Sequence, residues 1–121
     1  MRLESVLTET NAEPISPEPD LSREVRSGFA SDLMSDVLRY DVAQGLLITG
    51  LTNPQIIRTA EVADIAAILV VRGKVPPAET TNLANQVGIP ILSTDLTMFE
   101  TCGRLIAAGL SACRRLDNDR Q

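Results

Sequence analysis

The stretch LLITGLTNPQIIRTAEVADIAAILVVRG, residues 46–73, decides the fold. It opens with Leu46-Leu47-Ile48-Thr49, an apolar run stopped by Gly50. A strand with no apolar–polar alternation is buried on both faces, as in a parallel sheet covered by helices. Asn53-Pro54 then starts a helix, with Asn as N-cap and Pro at the first helical position. Ile56, Ile57, Ala60 and Ala63 supply its inner face. Ala66 to Val71 is a second buried strand, ended by Gly73. Strand, helix and strand at this spacing form a right-handed crossover unit.

The pattern continues in both directions. Pro76-Pro77 leads into a helix with Leu83, Ala84 and Val87 facing in and Gly88 as C-cap. Ile89 to Ser93 is the next strand; Pro90 has no N–H for a ladder, so the strand lies at an edge or begins there. Thr97 and Glu100 form a capping box for a last helix, whose expected apolar stripe is Phe99, Cys102, Gly103, Ile106 and Leu110. Upstream, Arg23 to Ala30 is strand-like. Ser31 and Asp32 offer caps for a helix of about two turns carrying Leu33, Met34, Val37 and Leu38. Pro14, Pro17 and Pro19 deny a helix between Asn11 and Asp20, leaving a loop with room for a short strand around Ala12 to Ile15. Residues 1–10 form a short helix with Leu3, Val6 and Leu7 on one side. The expected fold is α/β, a three-layer α/β/α sandwich with a mostly parallel sheet and one antiparallel strand from the N-terminal part. It divides into an N-terminal helix and Pro-rich segment (1–22), the α/β domain (23–112) and a polar tail (113–121).

Composition narrows function. The 121 residues suit one domain. With no Trp, one Tyr and two Phe, the core must be aliphatic. A net charge of −5 gives no long-range attraction for nucleic acid or anionic membrane. The scarcity of aromatics also removes base-stacking platforms. Histidine is absent, which removes the commonest general base and metal ligand. Cys102 and Cys113 fit no zinc or redox spacing and read as a buried hydrophobe and a surface thiol. The longest apolar run, Ile65 to Val71, is too short to span a bilayer. The polar, acidic start lacks a signal-peptide pattern, so a cytoplasmic protein is expected. There is no P-loop, no Gly-x-Gly-x-x-Gly after a strand and no Gly-x-Ser-x-Gly elbow. No cofactor and no catalytic residue is expected.

Ligands of open α/β sheets gather beyond the carboxyl ends of the strands. Four loops build that edge here, and the candidate ligand-binding residues are Ser31, Asp32, Thr49, Thr52, Asn53, Arg72, Gly73, Lys74, Ser93 and Thr94. Helix N-termini after Asn53 and Thr97 present free N–H groups. Arg72 and Lys74 add positive charge, and Gly50 and Gly73 allow close backbone approach. Asp32, Asp36 and Asp95 oppose them, as partners for Arg72 or as acceptors for a ribose or cation. Capping and turn roles account for most of these residues equally well. Two functions follow: a regulatory or sensor module for a small anionic ligand, or an interaction and assembly protein with none.

From Arg23 to Leu110 the chain resembles the DRTGG domain, a regulatory α/β unit similar to the N-terminal domain of HPr kinase/phosphorylase. The residues that carry the resemblance are Gly28 to Val37, Ile48-Thr49, Ala66 to Val70, Gly88 to Thr94 and Phe99-Glu100. The short stand-alone members it is most similar to occur beside iron-iron hydrogenase and redox genes. The resemblance implies a non-catalytic regulatory domain, a homodimer, a nucleotide or anionic metabolite as ligand and, in the alternative, a redox-protein partner. The family's Asp-Arg falls near Thr52-Asn53 and its Thr-Gly-Gly near Val71-Arg72-Gly73, where only Gly73 is kept.

Overall fold

Alternate residues of the central strands point to opposite faces, and the apolar ones meet apolar side chains on both. Leu46, Ile48, Ala67, Leu69 and Leu92 share one core cluster with Leu3, Val6, Leu105 and Leu110. Leu47, Ile68, Val70 and Ile91 share the other with Ile56, Ile57, Ala60 and Ala84. The sheet is thus covered on both sides, as the unbroken apolar runs require. Each such Leu or Ile contributes about 2 kcal/mol through its burial.

The computed structural model describes residues 1–116. In chain order its elements are α1 (Leu3–Thr10), β1 (Glu13–Pro14), β2 (Gly28–Ala30), α2 (Met34–Val37), β3 (Tyr40–Asp41), β4 (Leu46–Thr49), α3 (Gln55–Val62), β5 (Ala67–Val70), α4 (Ala78–Val87), β6 (Ile91–Ser93), α5 (Met98–Ala107) and β7 (Arg114–Arg115). The five-stranded sheet runs β1-β6-β5-β4-β2. β2, β4, β5 and β6 are mutually parallel, and β1 joins β6 antiparallel. α1 and α5 cover one face; α3 and α4, with α2 beside α3, cover the other. The three-layer α/β/α sandwich and the antiparallel N-terminal strand match the expected architecture. Pro90 immediately precedes β6, and β1 makes β6 an inner strand.

Three local expectations need correction. The α2 region is one turn, not two, and Leu33 and Leu38 on either side of it are exposed. The last helix turns a different face inward. Its buried residues are Thr101 and Leu105, with Met98 and Cys102 packed beside them. Phe99 is 89% and Ile106 65% exposed. The sequence carries two overlapping stripes, Met98/Thr101/Cys102/Leu105 and Phe99/Cys102/Gly103/Ile106, about 100° apart on the helix. Thr101 can occupy the inner one because its hydroxyl donates to the Thr97 carbonyl at 2.8 Å. Finally, the segment read as a polar tail starts with structure: β7 pairs antiparallel with β3. The rest of that tail, Asp117 to Gln121, lies outside the described residues.

These two faces of α5 predict opposite responses to truncation. Leu105→Ala should cost about 3 kcal/mol in urea unfolding, as a fully buried leucine does. Phe99→Ser should change stability by less than about 0.5 kcal/mol. A large loss for Phe99→Ser would place that ring in the core.

Candidate functional site

All four parallel strands end on the same edge, so their following loops meet there. The meeting point is the carboxylate of Asp32. Leaving β2, the chain turns at Ser31, whose Oγ accepts from the Leu33 N–H at 2.9 Å. Asp32 does not cap a helix. Its Oδ1 accepts from the Gly50 N–H at 2.7 Å and from the Thr49 hydroxyl at 3.0 Å. Its Oδ2 accepts from Arg72 Nη2 at 3.4 Å. Thr49 Oγ1 in turn accepts from the Leu51 N–H at 3.1 Å, which closes the turn after β4.

Arg72 reaches Asp32 from an unusual backbone. Its φ is +63°, the left-handed region that L-residues avoid. Two hydrogen bonds hold it: Arg72 N–H to the Leu96 carbonyl at 2.8 Å, and Gly73 N–H to the Thr94 carbonyl at 2.9 Å. The guanidinium lies directly over Gly50. A Cβ built on Gly50 would fall onto Nη2 and within 2.7 Å of Cζ. Gly50 is therefore the floor on which the arginine rests.

The remaining candidates divide by role. Thr94 is buried; its hydroxyl donates to the Thr10 carbonyl at 2.6 Å and accepts from the Leu96 N–H at 3.2 Å. Gly73, at φ +66°, lets the β5 loop turn, with Asp95 Oδ1 2.9 Å from where a Cβ would stand. Ser93 reaches the Lys74 carbonyl at 3.5 Å. The Thr52 carbonyl accepts from the Thr80 hydroxyl at 2.7 Å. Asn53 is exposed and is not the N-cap it was expected to be: α3 starts at Gln55, with Pro54 at the N-cap position and no side-chain cap. Lys74 is exposed at the rim. The structure thus gathers Asp32, Thr49 and Arg72 around Gly50, uses Thr94 and Gly73 as scaffold, and leaves Asn53 and Lys74 outside. Sequence reasoning anticipated an Asp–Arg72 pairing. It missed Thr10 and Thr80, whose ties to the edge come from distant elements.

The electrostatics follow from this geometry. Partial burial pushes the Asp32 carboxyl upward, but the Gly50 N–H, the Thr49 hydroxyl and Arg72 together outweigh it and hold the group below the usual carboxylate range. The Asp32–Arg72 pair is half-open to solvent, with side chains 43% and 39% exposed. Its ionic contribution is therefore small. The edge is a shallow, charged rim. Two cavities lie away from this cluster, one of about 530 Å³ between α3 and α4 and one of about 400 Å³ beside β3 and β7.

The chain is an α/β/α sandwich whose strand-end loops converge on a charged cluster around Asp32 and Arg72. No protein-family model matches the sequence, and no curated protein does. In three dimensions the chain is similar to the CBS and DRTGG domains of the regulatory region of Clostridium perfringens pyrophosphatase, solved in complex with its activator, diadenosine tetraphosphate. The TM-score is 0.72 at 19% identity, over 97% of this chain and 51% of that one. This chain therefore spans about half of that structure's chain. The likeness is one of fold, and it supports a DRTGG-like α/β domain.

The Asp32 cluster has a testable pH signature. A carboxyl whose folded pKa is depressed contributes stability fully present above its unfolded value and lost as pH falls through the folded one. Asp32→Asn should lower stability by about 1 kcal/mol above about pH 5, where the wild-type group is charged. The gap between the two proteins should close as pH falls below the ordinary value of 3.8. Chemical denaturation at a series of pH values measures it; a gap independent of pH would show that the charge is not held by this cluster.

Proposed function

We propose that the chain is a non-catalytic regulatory module that binds a small anionic ligand of the nucleotide class at the carboxyl edge of its sheet. The observation that carries this reading is Arg72. A non-glycine residue held at positive φ is a local cost of about 1 kcal/mol or more, and such strain concentrates at binding sites. Here it aims a guanidinium across Gly50, where Asp32 fixes its orientation and leaves part of it facing solvent. Planar arginine N–H groups suit phosphate oxygens. Lys74, on the same loop, adds a second positive charge. The likeness in fold to a nucleotide-activated regulatory region supports the same class of ligand. In this reading Asp32 is a positioning residue and Arg72 the binding one. A cytoplasmic setting suits such a ligand.

The variant that separates strain from function is Arg72→Gly. Glycine relieves the positive φ, and the ion pair it removes is weak, so stability should stay within about 1 kcal/mol of wild type. Binding should not survive. A screen of adenine mono-, di- and dinucleotides by thermal shift should find a compound that raises the wild-type Tm by about 10 °C at a hundred times its Kd. Arg72→Gly should abolish that shift and Lys74→Ala should weaken it. No shift from any compound, or an equal shift in Arg72→Gly, rejects the proposal.

A second reading is favoured by α5. Phe99, Gly103 and Ile106 lie at i, i+4 and i+7, so they form one outward apolar stripe. Such a stripe fits an interaction face, with a second copy of this chain as occupant, giving the homodimer. Phe99→Asp/Ile106→Asp should then convert a dimer to a monomer in light scattering while leaving the fold intact. A wild-type protein that is monomeric at high concentration removes the homodimer and leaves a different protein, such as a redox partner, to cover the stripe.

A further inference from the structure

The cavity of about 400 Å³ lies at the opposite end of the sheet, where the parallel strands begin. Arg26 and Ser27 precede β2, Asp41 ends β3, and Ser111 and Arg114 come from the segment that returns along the sheet edge to form β7. This segment is fixed: Gly28 N–H donates to the Ser111 carbonyl at 2.8 Å and Cys113 N–H to the Gly28 carbonyl at 3.2 Å. Two features of the lining bear on what it could hold. Ser27 lines the cavity at 7% exposure, with no side-chain hydrogen bond among the described residues. Arg114 stands opposite Asp41 in the β3–β7 pair but makes no ion pair among the described residues, whereas Arg26 Nη2 is 3.3 Å from Asp41 Oδ1.

We propose that this cavity binds a small phosphorylated polyol or sugar. Arg114 and Arg26 would hold the phosphoryl oxygens, as guanidinium groups do in bidentate contacts. Ser27 would donate its free hydroxyl to the same group. Asp41, an acceptor only, would take a hydroxyl of the ligand. The lining has two arginines against one aspartate, a local excess of positive charge in a chain of net −5. It contains no aromatic side chain to stack on a nucleobase. The volume lies within the range of small-molecule sites. This site shares no residue with the Arg72 edge and does not depend on it.

The test is calorimetry with glycerol 3-phosphate and ribose 5-phosphate, set against glycerol and inorganic phosphate. Binding of at least one ester is expected, with inorganic phosphate at least tenfold weaker. Arg114→Ala should cost about tenfold or more in affinity, since it removes charge-assisted hydrogen bonds. Ser27→Ala should weaken binding several-fold while leaving Tm unchanged, because the hydroxyl it deletes faces the cavity and makes no hydrogen bond among the described residues. Arg72→Gly should have no effect, which separates failure here from failure at the other edge. The inference is overturned if neither ester binds at millimolar concentration or inorganic phosphate binds as tightly as the esters. It is overturned equally if Arg114→Ala is silent or Arg72→Gly abolishes binding.

Discussion

The constraint on which this molecule depends is that β4 and β5 are buried along their whole length. No residue of Leu46–Thr49 or Ala67–Val70 is open to solvent. A strand of this kind has no polar face to offer, so its chemistry is pushed to its two ends. The sheet therefore acts as an inert spacer between two rims. The aliphatic composition serves that role: Leu, Ile, Val and Ala pack on both faces without polar atoms that would need partners. Five of the six buried threonines among the described residues obey the same accounting. Thr10, Thr49, Thr80, Thr94 and Thr101 each give their hydroxyl to an oxygen within reach, either a backbone carbonyl or Asp32.

At the carboxyl rim a single carboxylate does the organising. Asp32 answers the Gly50 N–H and the Thr49 hydroxyl, groups that the end of β4 would leave without strand partners. It also gives Arg72 a fixed direction. The three contacts are coupled through one small residue, because any side chain at position 50 would lift the guanidinium away. The same cluster thus closes a turn and presents a cation. In the proposed reading a structural role and a binding role are not alternatives, since the hydrogen bonds that satisfy the backbone are those that orient the arginine.

The legible parts of the sequence were those set by local chemistry. The uninterrupted apolar runs gave β4, β5 and β6, and Thr97 with Glu100 gave a capping box that the structure forms in full. Gly88 gave the left-handed end of α4. Pro14, Pro17 and Pro19 kept the N-terminal link out of a helix. What was not legible depended on partners far along the chain. Asp32 looks like a helix cap until β4 places Gly50 N–H beside it. Arg72 at positive φ has no sequence signal, since the bonds that impose it come from Thr94 and Leu96. The face of α5 was undetermined because two apolar stripes coexist, and packing against α1 and β4 chooses between them. β7 was invisible because Arg114-Arg115 is as polar as a tail, and it becomes a strand only because Tyr40 and Asp41 are there to pair with.

The two rims are chemically unlike, and this follows from how each is built. The carboxyl rim is a set of tight turns held by hydrogen bonds at Ser31, Thr49, Asp32 and Thr94, and it presents Arg72 outward. The amino rim is closed by a segment arriving from the end of the chain. A separate wall laid against a sheet leaves space behind it, and the cavity beside β3 and β7 is that space. A module of this size can then carry a small ligand at one rim and a different contact at the other, both reading the same rigid sheet. Coupling between them would require β2 and β4 to shift, since Ser27 and Asp32 flank β2 and Gly45 and Thr49 bound β4. β2 is the element best placed for that: it is short, and on the side away from β4 only Gly28 is tied, to the returning segment at Ala112.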